Sequence, residues 1–186
     1  MESCLDDKYK LERLDESHDF SSFFCGVKEL DNCLHSDFFQ QVKSHKATAL
    51  GALLNDELVA VFAIGEHYIE LDREDIELVN LKLDNQLLIK EDSNSVRIPS
   101  MEIYFLAVKK EKRRNKIGTK VIDTIIELVE SQKPDLQFLS LDALKEAIGF
   151  YVKVGFDKAE MDMSGNPTVR MYKALNLNEE LEDDGD

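Results

Sequence analysis

Seven of the chain's twenty-three Lys and Arg residues fall within twelve positions: Lys109, Lys110, Lys112, Arg113, Arg114, Lys116 and Lys120. The formal net charge is −15, so this segment is a positive island in a negative field. It follows the apolar run SMEIYFLAV (100–108). It precedes Ile117, Val121, Ile122, Ile125, Ile126 and Val129, which share one face of a helix. Strand, basic glycine-containing loop and helix, in that order, aim unpaired backbone N–H groups and the positive end of a helix dipole at whatever sits above the loop. That chemistry is anion binding. A P-loop would need Gly-Lys-Ser/Thr, and a dinucleotide fingerprint Gly-x-Gly-x-x-Gly, and neither is present.

Glu102 is the second residue of chemical interest. It is a lone carboxylate in an otherwise apolar strand, where burial would raise its pKa toward the range of a useful base. The competing reading is a carboxylate that faces water or pairs with an arginine. Glu66 and His67, at the end of the preceding apolar run, are reserve candidates for a base. Cys4, Cys25 and Cys33 lack the spacing of metal knuckles or redox pairs and read as packing residues. His18, His35, His45 and His67 are scattered, so no metal site is expected.

The elements that must position these residues read as follows. KYKLERL (8–14) alternates as a strand. From Asp19 to His45 apolar residues recur at helical spacing, with Gly26 expected to break the stretch into two helices. ATALGALL (47–54) and ELVAVFAIGEHYIEL (57–71) are strands joined at Asn55-Asp56, residues suited to a tight hairpin turn. The second strand is long and should be central. Residues 72–99 read as an acidic insertion with a short helix or strand. The helix after the basic loop should stop before Pro134. LQFLSLDA is a strand, ALKEAIGFYVKVGF a short helix stopped at Gly155, and DKAEMDM and TVRMYKAL a closing hairpin around SGNP. The sum is a mixed α/β domain with a right-handed strand–helix–strand crossover over residues 100–142.

With 186 residues, 43% hydrophobic and 33% charged, one domain over residues 1–176 is expected, followed by an acidic disordered tail at 177–186. No apolar stretch approaches the roughly 18 residues of a membrane span. MESCLDDKYK lacks the apolar core of a signal peptide, so a cytoplasmic location is expected. The acidity argues against broad nucleic-acid binding, which draws its affinity from Lys and Arg on phosphates.

EIYFLAVKKEKRRNKIGTKVIDTII resembles the coenzyme-A-binding segment of the GNAT N-acetyltransferases, whose signature is Gln/Arg-x-x-Gly-x-Gly/Ala. Arg113, Lys116 and Gly118 occupy its three defined positions. FLSLDALKEAIGFYVKVGF resembles the following strand and helix, with Phe150, Tyr151, Gly155 and Phe156 in the family pattern. FFCGVKELDNCL resembles the first-helix region of the branch that includes toxin acetyltransferases. The resemblance spans roughly residues 8–175.

The resemblance implies a mostly antiparallel central sheet flanked by helices, with splayed central strands, and acetyl-CoA as cosubstrate without a metal. It implies that Leu106, Ala107 and Val108 offer backbone to the pantetheine, and that the turn of Arg113, Arg114, Asn115, Lys116, Ile117, Gly118 and Thr119 holds the diphosphate. Glu102 matches the base of some histone-type members, and Tyr151 the tyrosine that protonates the coenzyme thiolate. One departure stands out: Lys116 replaces the central glycine. Its Cβ costs about 1 kcal/mol if the backbone there is left-handed. Either the lysine charge compensates or coenzyme binding is weakened.

The leading reading is an acetyl-CoA-dependent N-acetyltransferase whose acceptor is a small-molecule or peptide amine, attacking the thioester directly. A non-catalytic acyl-CoA-binding or protein-interaction module is the alternative, and a toxin-type aminoacyl-tRNA acetyltransferase a further one. A homodimer stays open.

Overall fold

Asn55 and Asp56 both adopt left-handed backbone, at φ of 53° and 62°, the requirement of a two-residue type I′ hairpin. They join β2 (Thr48–Leu54) to β3 (Glu57–Asp72), which pair antiparallel with Leu54 opposite Glu57. The expected hairpin is therefore present, and β3 is the longest strand among the described residues. The computed structural model describes residues 9–72, 95–113, 116–159 and 167–175.

The other strands are β1 (Lys10–Arg13), β4 (Ser95–Val108), β5 (Phe138–Leu144), β6 (Asp157–Lys158) and β7 (Thr168–Ala174). They form one seven-stranded sheet in the order β1-β2-β3-β4-β5-β7-β6. The pairs β1–β2, β2–β3, β5–β7 and β6–β7 are antiparallel. Among the described residues four helices accompany the sheet: α1 (Lys28–Ser36), α2 (Phe38–Ser44), α3 (Ile117–Gln132) and α4 (Ile148–Lys153). This is the expected mixed α/β class. No described helix is long and apolar enough to cross a membrane.

Several boundaries differ from expectation. Gly26, at φ 79°, lies before α1 rather than between two helices, and the break between α1 and α2 falls at Asp37. The reason is local. The Asp31 carboxylate accepts the amides of Cys25 at 2.7 Å and Gly26 at 2.9 Å, so the chain ahead of α1 satisfies its donors without becoming helical. β4 starts at Ser95, so the end of the 72–99 stretch is strand and runs on without a break into the apolar run at 100–108. Of the proposed insertion, residues 73–94 lie outside the described part, as do the acidic tail, Cys4 and the SGNP turn. Of the closing hairpin the pairing Asp157–Tyr172 and Lys158–Met171 is present, on a β6 of two residues.

The chain groups into two compact units, Met1–Gly65 with Ile103–Ile125, and Glu66–Glu102 with Ile126–Asp186. The first has a core in which Phe20, Phe23, Leu34 and Phe38 pack with Ala49, Val61, Ala63 and Phe105. The second has a core of Ile69, Leu71, Val96, Ile98, Phe138 and Tyr172. On α3, Ile117, Val121, Ile122, Ile125 and Val129 are buried, as their spacing predicts.

Candidate active site

In the first unit, β4 leads through a 3-10 turn (Lys110–Lys112) to the start of α3. Most amides along the way are already used. Lys109 donates to the Val59 carbonyl and Lys110 to that of Phe24, both at 2.9 Å, while Lys112 and Arg113 donate back to Lys109 and Lys110 at 2.9 and 3.4 Å. The first helical bond runs from Lys120 to the Lys116 carbonyl at 3.0 Å. That leaves the amides of Ile117, Gly118 and Thr119, the helix's orphan donors, with no partner among the described residues. Ile117 is buried and anchors the turn, and Lys116 is exposed.

Lys116 adopts φ 57°. The position that carries glycine in the signature is thus left-handed here, with a lysine in it. The expected cationic island is partly neutralised. Glu57 on β3 pairs with Lys109 and Lys112, each at 2.8 Å. Hydrogen bonds from Lys109 and then Lys112 hold its carboxyl at about 2. Arg114 and Asn115 lie outside the described residues. Along β4, Ala107 is buried between half-buried Leu106 and Val108.

In the second unit, Glu102 is buried as expected, and it is paired. Arg170 on β7 reaches its two oxygens through Nη1 and Nη2, each at 2.8 Å, a bidentate clamp. Arg170 also stands directly opposite Asp142 across β5 and β7, with 3.4 Å between Nη1 and Oδ1. Burial alone would lower the pKa of Arg170, but the bond to Glu102 and the Asp142 charge outweigh it and raise it. His67 on β3 brings Nε2 to 3.8 Å from Glu102 Oε2. Glu66 instead pairs with Lys133 at 2.7 Å in an exposed bridge. Two residues along the same face, the buried hydroxyls of Ser100 and Ser140 stand 3.1 Å apart. The arginine competitor for Glu102 is therefore what the fold supplies, from 68 residues downstream.

Sequence reasoning missed Arg170 and Asp142. A usable signal existed: Arg170 is a charge inside an apolar strand, as Glu102 is, and two such residues of opposite sign invite pairing.

Tyr151 lies on α4 in the second unit, its ring against Phe150 and Phe156 at 5.1 and 5.6 Å. Burial pushes its phenol up to about 12, so it keeps its proton throughout the neutral range. No hydrogen bond to its hydroxyl occurs among the described residues. The helix ends in a Schellman motif. The amide of Phe156 bonds the Tyr151 carbonyl at 3.0 Å and that of Gly155, at φ 87°, the Val152 carbonyl at 3.1 Å. Burial raises the thiols of Cys25 and Cys33, Cys33 to about 11, which disfavours the reactive thiolate at neutral pH.

A family model described as an acetyltransferase (GNAT) domain matches residues 87–175. No curated protein sequence matches the chain. Among solved structures, a bacterial toxin is similar at 15% identity and TM-score 0.65, covering 91% of this chain and 92% of its own. A Tyr-to-Phe mutant of the AtaT toxin, bound to the C-terminus of the antitoxin AtaR and to acetyl-CoA, is similar at 16% identity and TM-score 0.63, covering 91% and 94%. AtaT complexed with acetyl-methionyl-tRNAfMet is similar at 17% identity and TM-score 0.61, covering 88% and 94%. At these identities the likeness is one of fold.

Proposed function

We propose, from the match of residues 87–175 to an acetyltransferase (GNAT) domain model, that this chain moves an acetyl group from acetyl-CoA to a primary amine by direct attack on the thioester. The observation that supports the coenzyme assignment is the trio of amides at Ile117, Gly118 and Thr119 that have no partner among the described residues, opening α3 beside exposed Arg113, Lys116 and Lys120. A diphosphate satisfies such donors, and Arg114 and Asn115 are assigned to the same coenzyme on the sequence signature alone. Leu106, Ala107 and Val108 face the pantetheine through their backbone. Tyr151 gives its proton to the departing thiolate, for which its buried, protonated phenol is suited.

The acceptor is a small-molecule or peptide amine. A net charge of −15 repels a large polyanion, and Glu57 already ties down two cations of the basic segment. The second reading is transfer to aminoacyl-tRNA, favoured by a fold neighbour complexed with acetyl-methionyl-tRNAfMet.

The test is thermal unfolding with acetyl-CoA and with free CoA. At about 100-fold over Kd, binding to the folded state adds roughly 2.7 kcal/mol. No shift with either ligand removes the coenzyme assignment. A shift without thiol release, using an amine panel and aminoacyl-tRNA as acceptors, leaves a binding module in place of an enzyme.

A further inference from the structure

We infer that Phe24 and Lys110 form a subsite for the adenosine 3′-phosphate end of the coenzyme, the ring stacking on the adenine and the ammonium taking the ribose 3′-phosphate. The inference rests on the coenzyme assignment above and reaches the part of the coenzyme which that assignment leaves unplaced.

Coenzyme A carries two separate anionic groups, a diphosphate and a 3′-phosphate, joined by a ribose that also bears the adenine. The amides of Ile117, Gly118 and Thr119 suit the diphosphate. The 3′-phosphate needs a cation of its own, and the base needs a flat apolar surface. Both must stand beside the turn, in the compact unit that contains it.

Phe24 supplies the surface. All ten phenylalanines of the chain lie among the described residues, and Phe24 alone is exposed, at 52%. Single exposed apolar side chains are ordinary; what sets this one apart is how firmly its backbone is held. Its carbonyl accepts the Lys110 amide at 2.9 Å. The two amides that follow, of Cys25 and Gly26, are taken by Asp31, and the carbonyl before it, of Phe23, accepts His35 Nε2 at 2.9 Å. The His35 ring stands at 71° to that of Phe24, with centroids 4.8 Å apart. An aromatic fixed on the surface in this way loses little freedom when a base stacks on it.

Lys110 supplies the cation. Its stem lies against Gly26, where a Cβ would meet Cδ at 3.0 Å and Cγ at 3.4 Å. Gly26 has φ 79°, so the missing side chain serves both the turn and the lysine stem. Lys109 and Lys112 are paired with Glu57, whereas the exposed Lys110 has no carboxylate partner among the described residues. The same short turn leads into the coenzyme motif. The Arg113 amide donates to the Lys110 carbonyl at 3.4 Å. The Arg113 charge also reaches Cys25, where burial raises the thiol and the guanidinium opposes the rise. Phe24, Gly26, Lys110, Arg113 and the three amides all belong to the first unit.

Calorimetric titrations of the full chain with CoA, 3′-dephospho-CoA and 4′-phosphopantetheine test the assignment. Phe24→Ala should weaken CoA and 3′-dephospho-CoA about 10-fold or more and leave 4′-phosphopantetheine, which lacks the base, unchanged. Lys110→Met, which keeps an apolar stem over Gly26, should weaken CoA about 5-fold and leave 3′-dephospho-CoA unchanged. Should 4′-phosphopantetheine bind too weakly to measure, NMR titration with adenosine 3′,5′-bisphosphate decides, and the Phe24 ring resonances of the unsubstituted protein should move upfield. Unchanged CoA affinity in Phe24→Ala, equal losses with and without the base, or unmoved ring resonances overturn the stacking. Equal losses for CoA and 3′-dephospho-CoA in Lys110→Met overturn the phosphate contact. An unsubstituted protein that binds none of the three coenzyme forms sinks the coenzyme assignment itself, and this subsite with it.

Discussion

The Lys173 ammonium occupies the place where a side chain on Gly155 would begin: a Cβ built there meets Nζ at 2.5 Å. From that position Nζ donates to the Val154 carbonyl at 3.0 Å and so closes the C-terminal end of α4, the helix that carries Tyr151. Gly155→Ala should therefore destabilise the protein twice over, by about 1–2 kcal/mol for the left-handed backbone and about 1 kcal/mol for the displaced hydrogen bond. In a Lys173→Ala background only the first part should remain, because the two sites share one contact. Urea unfolding of the four-member cycle measures this, and strict additivity would show that the ammonium moves aside freely.

Lys116 offers a separable pair of effects. Its φ of 57° strains any residue with a Cβ, so Lys116→Gly should be neutral or stabilising by up to about 1 kcal/mol, while Lys116→Ala keeps the strain and loses the charge. If the charge assists the diphosphate, both variants weaken acetyl-CoA binding alike in calorimetry. Tighter binding by the glycine variant alone would mean that the backbone is what limits affinity.

Glu57 should leave a mark on the acid limb of stability. Its carboxyl is depressed from 4.5 to about 2 by Lys109 and Lys112. The stabilisation is therefore present above about pH 4.5 and is lost as pH falls toward 2. The side chain is 40% exposed, so the contribution is screened and amounts to about 1 kcal/mol or less. Glu57→Gln should flatten the stability curve over that interval, and an identical curve would show that the two bridges contribute nothing.

Tyr151→Phe removes a hydroxyl that has no partner among the described residues. Stability should change by less than about 0.5 kcal/mol, and acetyl-CoA affinity should hold. Acetyl transfer should fall about 100-fold. With the phenol at about 12, no loss of rate from its ionisation is expected between pH 6 and 10. A rate unaffected by the substitution removes Tyr151 from the mechanism.

What the sequence made legible was local. Asn55-Asp56 announced the hairpin because few residues tolerate two consecutive left-handed positions. The face of α3 followed from spacing alone. Glu102 was recognisable as buried from its apolar strand, but its partner was not, since no periodicity links residues 68 apart. The same holds for Glu57, which sits 52 residues before Lys109 and draws off charge that composition credits to the anion loop. Asp31 hid the true start of the first helix by satisfying two amides from inside it.

The pairing of Glu102 with Arg170 also imposes an order on synthesis. A carboxylate in the middle strand waits for a guanidinium in the last, so while the ribosome still holds β7 the nascent chain must either keep that carboxylate wet or bury it alone, at about 3–5 kcal/mol. Native closure of this region is thus deferred until translation is nearly done, and a chain cut short before residue 170 has no Arg170 guanidinium to cancel the Glu102 charge.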